Sequence, residues 1–238
     1  MGDLGRALPD VPDDCRGPLS GITFRSSSMV WIMLREFAVV MVVLLMTSSA
    51  VRYIWQIRRR QIEPATSTWI IFLAGTALSF ITYMLAEDRD FETGILNTMD
   101  VLEVSSILVA VLIWANPGGV RFSRFEKWYL AGIGLIIVYG LVFGDAWGSN
   151  LFVQGLITAG YIPSVFKVIT SRRNTESFLA WTFSLFAGLF ALIPAFFDGN
   201  TLAIVYSVRT VVLVGSFLSL MAYFQFVYPS RRKNLEKS

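Results

Sequence analysis

The chain has 238 residues, a formal net charge of +3, no histidine and a single cysteine, Cys15, in a polar tail. Its hydrophobic share is 55% and its charged share 16%, against ~25% charged in ordinary soluble domains, and the mean hydropathy is +0.60. These values exclude an ordinary soluble fold, and the residue counts exclude thiol catalysis, imidazole acid–base chemistry, Cys/His zinc sites and intrachain disulfides.

Residues 1–28 are rich in Gly, Pro, Asp and Ser and carry no apolar run. They predict a disordered tail rather than a signal peptide, and Met29 is a second candidate start. Seven apolar runs follow: Phe37–Trp55, Ser67–Ala86, Ile95–Trp114, Trp128–Phe143, Leu151–Ile169, Phe178–Phe197 and Leu202–Tyr228. A bilayer core of ~30 Å needs about 20 apolar residues per helix, and the fourth run is the shortest. None alternates with period two, as barrel strands would. The expectation is an all-α membrane protein of seven transmembrane helices.

The loop charges sort by side. The odd loops and the C-terminus hold Arg58, Arg59, Arg60, Arg121, Arg124, Lys127, Lys167, Arg172, Arg173, Arg231, Arg232, Lys233 and Lys237. The even loops hold one base, Arg89, against Glu87, Asp88, Asp90, Glu92, Asp145 and Asp198. Lys/Arg-rich loops face the cytoplasm, which predicts an outside N-terminus, a cytoplasmic C-terminus and a plasma (inner) membrane location. Topology therefore accounts for the positive charge, and no nucleic-acid partner is expected.

One pattern occurs twice. Tyr53-Ile54-Trp55-Gln56-Ile57 and Tyr161-Ile162-Pro163-Ser164-Val165 each precede a basic loop. A tryptophan follows (Trp69, Trp181), then Ala-Gly (Ala74-Gly75, Ala187-Gly188), then an Asn-Thr pair (Asn97-Thr98, Asn200-Thr201). Duplicated three-helix units separated by a fourth span must run parallel. Such repeats place a site near the midplane between the halves. The expected units are a tail at 1–28, a first repeat at 29–115, a linker helix at 116–146, a second repeat at 147–228 and a basic tail at 229–238.

In this pattern the chain resembles the PQ-loop superfamily, which includes the SWEET sugar carriers. That family has a Pro-Gln pair near the cytoplasmic end of the first helix of each repeat, then a basic loop and a tryptophan. Here Trp55-Gln56 keeps the glutamine and Pro163-Ser164 the proline. Lys167 to Trp181, with Asn174-Thr175-Glu176-Ser177, is the closer match, and Glu63-Pro64-Ala65-Thr66-Ser67-Thr68-Trp69 the looser one. The resemblance covers about residues 37–228 and implies a 3+1+3 layout, an outside N-terminus and hinge prolines. This chain carries the prolines in its second half only, Pro163 and Pro194, with Trp55 and Ile81 at the matching places. The resemblance also implies that Asn97 and Asn200 bind sugar hydroxyls, whereas their positions at helix starts predict N-caps. Trp69 and Trp181 are expected as interface anchors or as stacking platforms for a ligand. Gly75 and Gly188 are expected to permit close helix contact.

Charges inside the spans are the strongest functional signal. Asp100 and Glu103 share a helical face in the third span, and Arg209 lies in the seventh, three residues after Tyr206. A lone charge at mid-bilayer costs at least ~2.5–3.5 kcal/mol, so Arg209 is expected to pair with Glu103 or Asp100. Two carboxylates against one guanidinium leave one acid over, to hold a proton or face water. The alternatives are a proton- or cation-linked site and a structural bridge between the halves.

Together these features predict a secondary transporter or facilitator of a small polar solute (a sugar, an amino acid or a related metabolite), working by alternating access. The alternative is a seven-helix receptor or trafficking factor that binds a ligand without moving it. No enzyme activity, metal or cofactor is expected, because no glycine-rich phosphate loop or ligand cluster occurs. The expected partners are the lipid bilayer and the solute, and self-association into a homo-oligomer is left open.

Overall fold

The computed structural model describes residues 20–62, 64, 66–86, 90–115 and 124–228. All regular structure among them is helical: α1 (Ser20–Arg58), α2 (Thr66–Leu85), α3 (Ile95–Ala110), α4 (Arg124–Phe143), α5 (Ala146–Gly160), α6 (Ile162–Ser171), α7 (Phe178–Phe197) and α8 (Thr201–Ala222). Short π-helical turns, Val111–Ala115 and Tyr223–Val227, extend α3 and α8. Cys15, Glu63, Ala65, Glu87 to Arg89, Arg121 and the bases from Arg231 onward lie outside the described residues.

Six helical stretches are long and apolar enough to cross a bilayer: Met29–Arg58, Thr68–Leu85, Ile95–Ala115, Ala146–Ser171, Phe178–Phe197 and Thr201–Val227. A seventh, Lys127–Gly140, is shorter and corresponds to the shortest run in the sequence. Large apolar side chains such as Trp128, Leu135, Val142 and Phe166 stand exposed on the outer faces. In water each would forfeit about 1.5–3 kcal/mol of burial, whereas lipid tails solvate them. The chain thus has the architecture of an integral, multi-pass membrane protein.

Two boundaries differ from the expectation. The first helix begins at Ser20, so residues 20–28 are helical rather than tail, and residues 1–19 lie outside the described residues. The fifth span is two helices, broken at Tyr161. Pro163 opens α6 and has no N–H to give to the turn before it. Pro194 has a milder effect: it sits in the last turn of α7, which stays helical through it.

Local chemistry sets several helix starts. Asp145, Ser177 and Asn200 cap α5, α7 and α8, accepting from the backbone N–H groups of Gly148 (2.7 Å), Ala180 (3.3 Å) and Ala203 (3.0 Å). The α7–α8 turn is only Asp198-Gly199-Asn200, and Gly199 takes a φ of +65° that an L side chain resists.

The most extensive helix contact is between α1 and α7. α3 lies against both α1 and α2, and α8 against both α7 and α5. α2 also packs on α5, and α4 covers α5 and α2. Gly75 and Gly188 do allow close approach. A Cβ on Gly75 would come within 3.0 Å of Ile157 and of the Tyr129 hydroxyl, and one on Gly188 within 3.1 Å of Val211. A buried amide cluster ties α2, α3 and α5. Asn150 donates to the Ser79 carbonyl and the Thr82 hydroxyl, each at 2.9 Å. Gln154 (3.0 Å) and Asn97 (3.3 Å) both donate to Ser79 Oγ.

Candidate functional site

A cavity lies among α1, α2, α3, α5, α7 and α8. α1 contributes Ser49 and Tyr53, α2 contributes Trp69, Phe72 and Thr76, and α3 contributes Asp100, Glu103 and Val104. Tyr161 stands at the α5–α6 break, Trp181 and Ser184 come from α7, and Arg209 and Thr210 from α8. The space open to water centres is about 50 Å³. A water needs about 10–15 Å³ on that measure, so the cavity has room for a few.

The duplicated pattern converges here. Tyr53 and Tyr161, and likewise Trp69 and Trp181, line the same space. Their rings form an arc with Phe72. Successive centroids are 4.9 Å (Tyr53–Trp69), 5.9 Å (Trp69–Phe72), 5.2 Å (Phe72–Tyr161) and 5.8 Å (Tyr161–Trp181) apart. The expected interface anchoring of the two tryptophans is corrected: Trp69 is buried and Trp181 partly so.

The charged residues meet in this cavity but not as an ion pair. Glu103 and Arg209 each lie eight residues beyond the first residue of their helices, about 12 Å in at 1.5 Å per residue. Among the described residues, no carboxylate lies within 4.0 Å of Arg209. Tyr206 stands between instead. Its hydroxyl donates to Asp100 Oδ2, and the Arg209 guanidinium lies over its ring, 4.2 Å from the centroid. Arg209 Nη2 donates to Thr210 Oγ1 at 3.1 Å, while Nε and Nη1 are buried without a hydrogen-bond partner. Tyr206 is therefore the link between the acidic and basic helices.

Glu103 is held by Ser49, whose hydroxyl donates to Oε1. Ser49 Oγ also lies 3.0 Å from the Ala180 carbonyl and 3.2 Å from Ser184 Oγ. A hydroxyl has one proton. Ser49 can give it to a Glu103 carboxylate, or accept from a protonated Glu103 and give it to Ala180. The site accommodates either state without moving a heavy atom.

Asn97 and Asn200 separate. Asn200 caps α8, and its amide also donates to the Tyr83 hydroxyl at 3.2 Å. Asn97 does not cap α3, which starts at Ile95 after Gly94. It lies within the first turn, bound to Ser79, with Oδ1 buried and unpartnered. Neither lines the central cavity. Asn97 lines a smaller pocket with Tyr83 and Tyr206, and Asn200 reaches Tyr83 from the α7–α8 turn. Gln56 lies near the end of α1, in an open vestibule with Arg52, Arg173 and Glu176.

Beyond each end of the cavity lie contacts between residues that sequence reading did not single out as a site. At one end the Tyr53 hydroxyl donates to Glu176 Oε2, from α1 to the segment before α7. Burial pushes the Glu176 carboxyl above its ordinary range, against the opposing pull of the Tyr53 hydroxyl and Lys167. At the other end Arg35 of α1 gathers three carboxylates. Its Nη2 lies 2.9 Å from Asp90 Oδ2, its Nε and Nη2 each 3.1 Å from Asp198 Oδ2, and Nη1 bonds Glu92 Oε2. Burial pushes Asp90 upward, but the Thr93 hydroxyl, the Glu92 N–H and Arg35 together hold it below its ordinary range. Val42, Met46, Leu96, Ala187 and Ala191 form an apolar layer on the helices between Arg35 and the cavity. Acidic loops and a lone arginine before the first apolar run were the only sequence signal for this cluster. Neither family models nor curated proteins match this chain.

Proposed function

We propose that the protein is a secondary transporter or facilitator of a small polar solute, working by alternating access between two parallel three-helix units. The observation that carries this reading is a charged cavity at the junction of these two units, bounded at each end by contacts that cross between them. The similar order within each unit, with α3 between α1 and α2 and α8 between α7 and α5, supports a 3+1+3 repeat. The break at Tyr161 and Pro163 is where the second unit would bend. In the orientation implied by the loop charges, Arg35 closes the outer end in the plasma membrane and Tyr53–Glu176 the cytoplasmic end. The two-way proton arrangement around Glu103 supports proton linkage.

Counterflow in proteoliposomes tests the reading. Carrier function predicts exchange of a labelled solute against its unlabelled form. Saturable binding without exchange would instead favour a receptor or trafficking factor of the same fold. If flux is proton-linked, Glu103→Gln and Asp100→Asn will change its pH profile; unchanged profiles in both would remove the proton from the mechanism.

A further inference from the structure

We infer that the solute is a short zwitterion, its carboxylate held by Arg209 and its ammonium group by Asp100 and Glu103. The inference rests on the reading of the central cavity as a ligand site and names the ligand's chemistry.

Charge balance across the cavity carries the argument. Arg209 has buried Nε and Nη1 groups with no partner, and guanidinium donors match a carboxylate in geometry and charge. On the α3 wall, Asp100 and Glu103 each have one oxygen occupied by a hydroxyl, from Tyr206 and Ser49. A carboxylate has two oxygens and about four lone-pair sites, so acceptor capacity remains on both. Opposite charges thus line one cavity without contacting each other, with the Tyr206 ring between them.

Simpler ligands leave one side uncompensated. A neutral sugar would leave the guanidinium with no counter-charge in contact. A simple anion would serve Arg209 and add a third negative charge beside the acids. A simple cation would serve the acids and repel Arg209. A molecule with both charges satisfies both walls, because buried charges are tolerated when paired and hydrogen-bonded, with the one acid left over carrying a proton, as the Ser49 arrangement at Glu103 accommodates. The size limit comes from the cavity. Its water-centre space of about 50 Å³ is well below the ~150 Å³ of a cavity that takes benzene, and the arc of Tyr53, Trp69, Phe72, Tyr161 and Trp181 confines it. The ligand is therefore glycine- to alanine-sized.

A ligand series on the unmodified purified protein tests this without any variant that could misfold. Alanine, alaninamide (no carboxylate), propionate (no ammonium) and glucose are compared by calorimetry and thermal shift. Alanine is expected to bind saturably, and alaninamide and propionate at least tenfold more weakly. Equal binding of alanine and propionate, stronger binding of glucose, or no binding by alanine would overturn the inference. Arg209→Lys and Arg209→Gln then locate the carboxylate. Each should weaken alanine at least fivefold and leave the weaker alaninamide affinity within twofold, whereas equal losses for both ligands would overturn the assignment. Counterflow is read separately. Alanine binding without flux leaves this inference standing and removes the carrier reading; glucose flux without alanine binding does the reverse.

Discussion

The contacts beyond the two ends of the central cavity rest on different physics. At the Arg35 end, one guanidinium holds three carboxylates from the α2–α3 and α7–α8 connections, and the acid side chains are between a quarter and a half exposed. At the other end, one hydrogen bond joins Tyr53 and Glu176, both buried. The first is multivalent, partly hydrated and open to screening. The second is single, dry and backed by aromatic packing. The proposed alternating access requires two closures that can be broken separately, and these two contacts answer to different perturbations.

The largest expected effect comes from Arg35→Ala. It removes every ionic contact in the cluster and leaves three carboxylates facing one another. Exposed pairs contribute up to ~1 kcal/mol each and multidentate arginine contacts more, so the closure should weaken by about 1–2 kcal/mol, roughly 5–30-fold in population. With Cys15→Ser and Ser184→Cys as reporter, an impermeant thiol reagent should label the cavity about tenfold faster from the Arg35 side. Unchanged labelling would show that the apolar layer, rather than the ions, closes that end.

Tyr53→Phe should act less strongly. It removes one hydrogen bond worth about 0.5–1.5 kcal/mol while preserving the ring against Trp69. Labelling of the same reporter from the Glu176 side should rise a few-fold. An effect larger than that of Arg35→Ala would invert the comparison.

Proton concentration should move the two ends in opposite directions. Asp90 is held below its ordinary range, so its contribution is present above that range and is lost as pH falls through its folded pKa. Glu176 is pushed above its ordinary range, so its charged form burdens the folded state. Its contribution is most favourable at low pH and declines as pH rises toward its folded pKa. Acid should therefore loosen the Arg35 end and tighten the other. Asp90→Asn and Glu176→Gln should each flatten the labelling response at their own end; a response of the same sign at both ends in the unmodified protein would rule this out.

Salt should give the smallest effect. Raising ionic strength from 0.15 to 1 M shortens the screening length from about 8 to 3 Å. Labelling from the Arg35 side should increase about two- to threefold, with no change from the buried Tyr53–Glu176 side. Equal salt responses would mean that Tyr53–Glu176 is hydrated.

Legibility followed the range of the interactions. The apolar runs revealed the helices, because each residue's preference for lipid over water acts position by position. Asn200 was readable as a cap for the same reason: its partner lies three residues away. The same argument failed for Asn97, where α3 starts earlier, at Ile95, and the amide turns to Ser79 on the neighbouring helix. The acidic loops were visible as a topology signal, but their gathering around Arg35 was not.

By itself the sequence determined an all-helical membrane chain, the depth of its internal charges and the recurrence of Tyr and Trp at matching places, since these depend on residue identity and helical rise. Only the tertiary structure decided which faces meet. Lateral packing rotated the Tyr206 ring between Asp100 and Arg209 and so replaced the expected ion pair with a divided, charged cavity. It also brought Tyr53 to Glu176, 123 residues away. Helical periodicity fixes height and face along one helix, but the neighbour that face will meet depends on how all the helices fill space together.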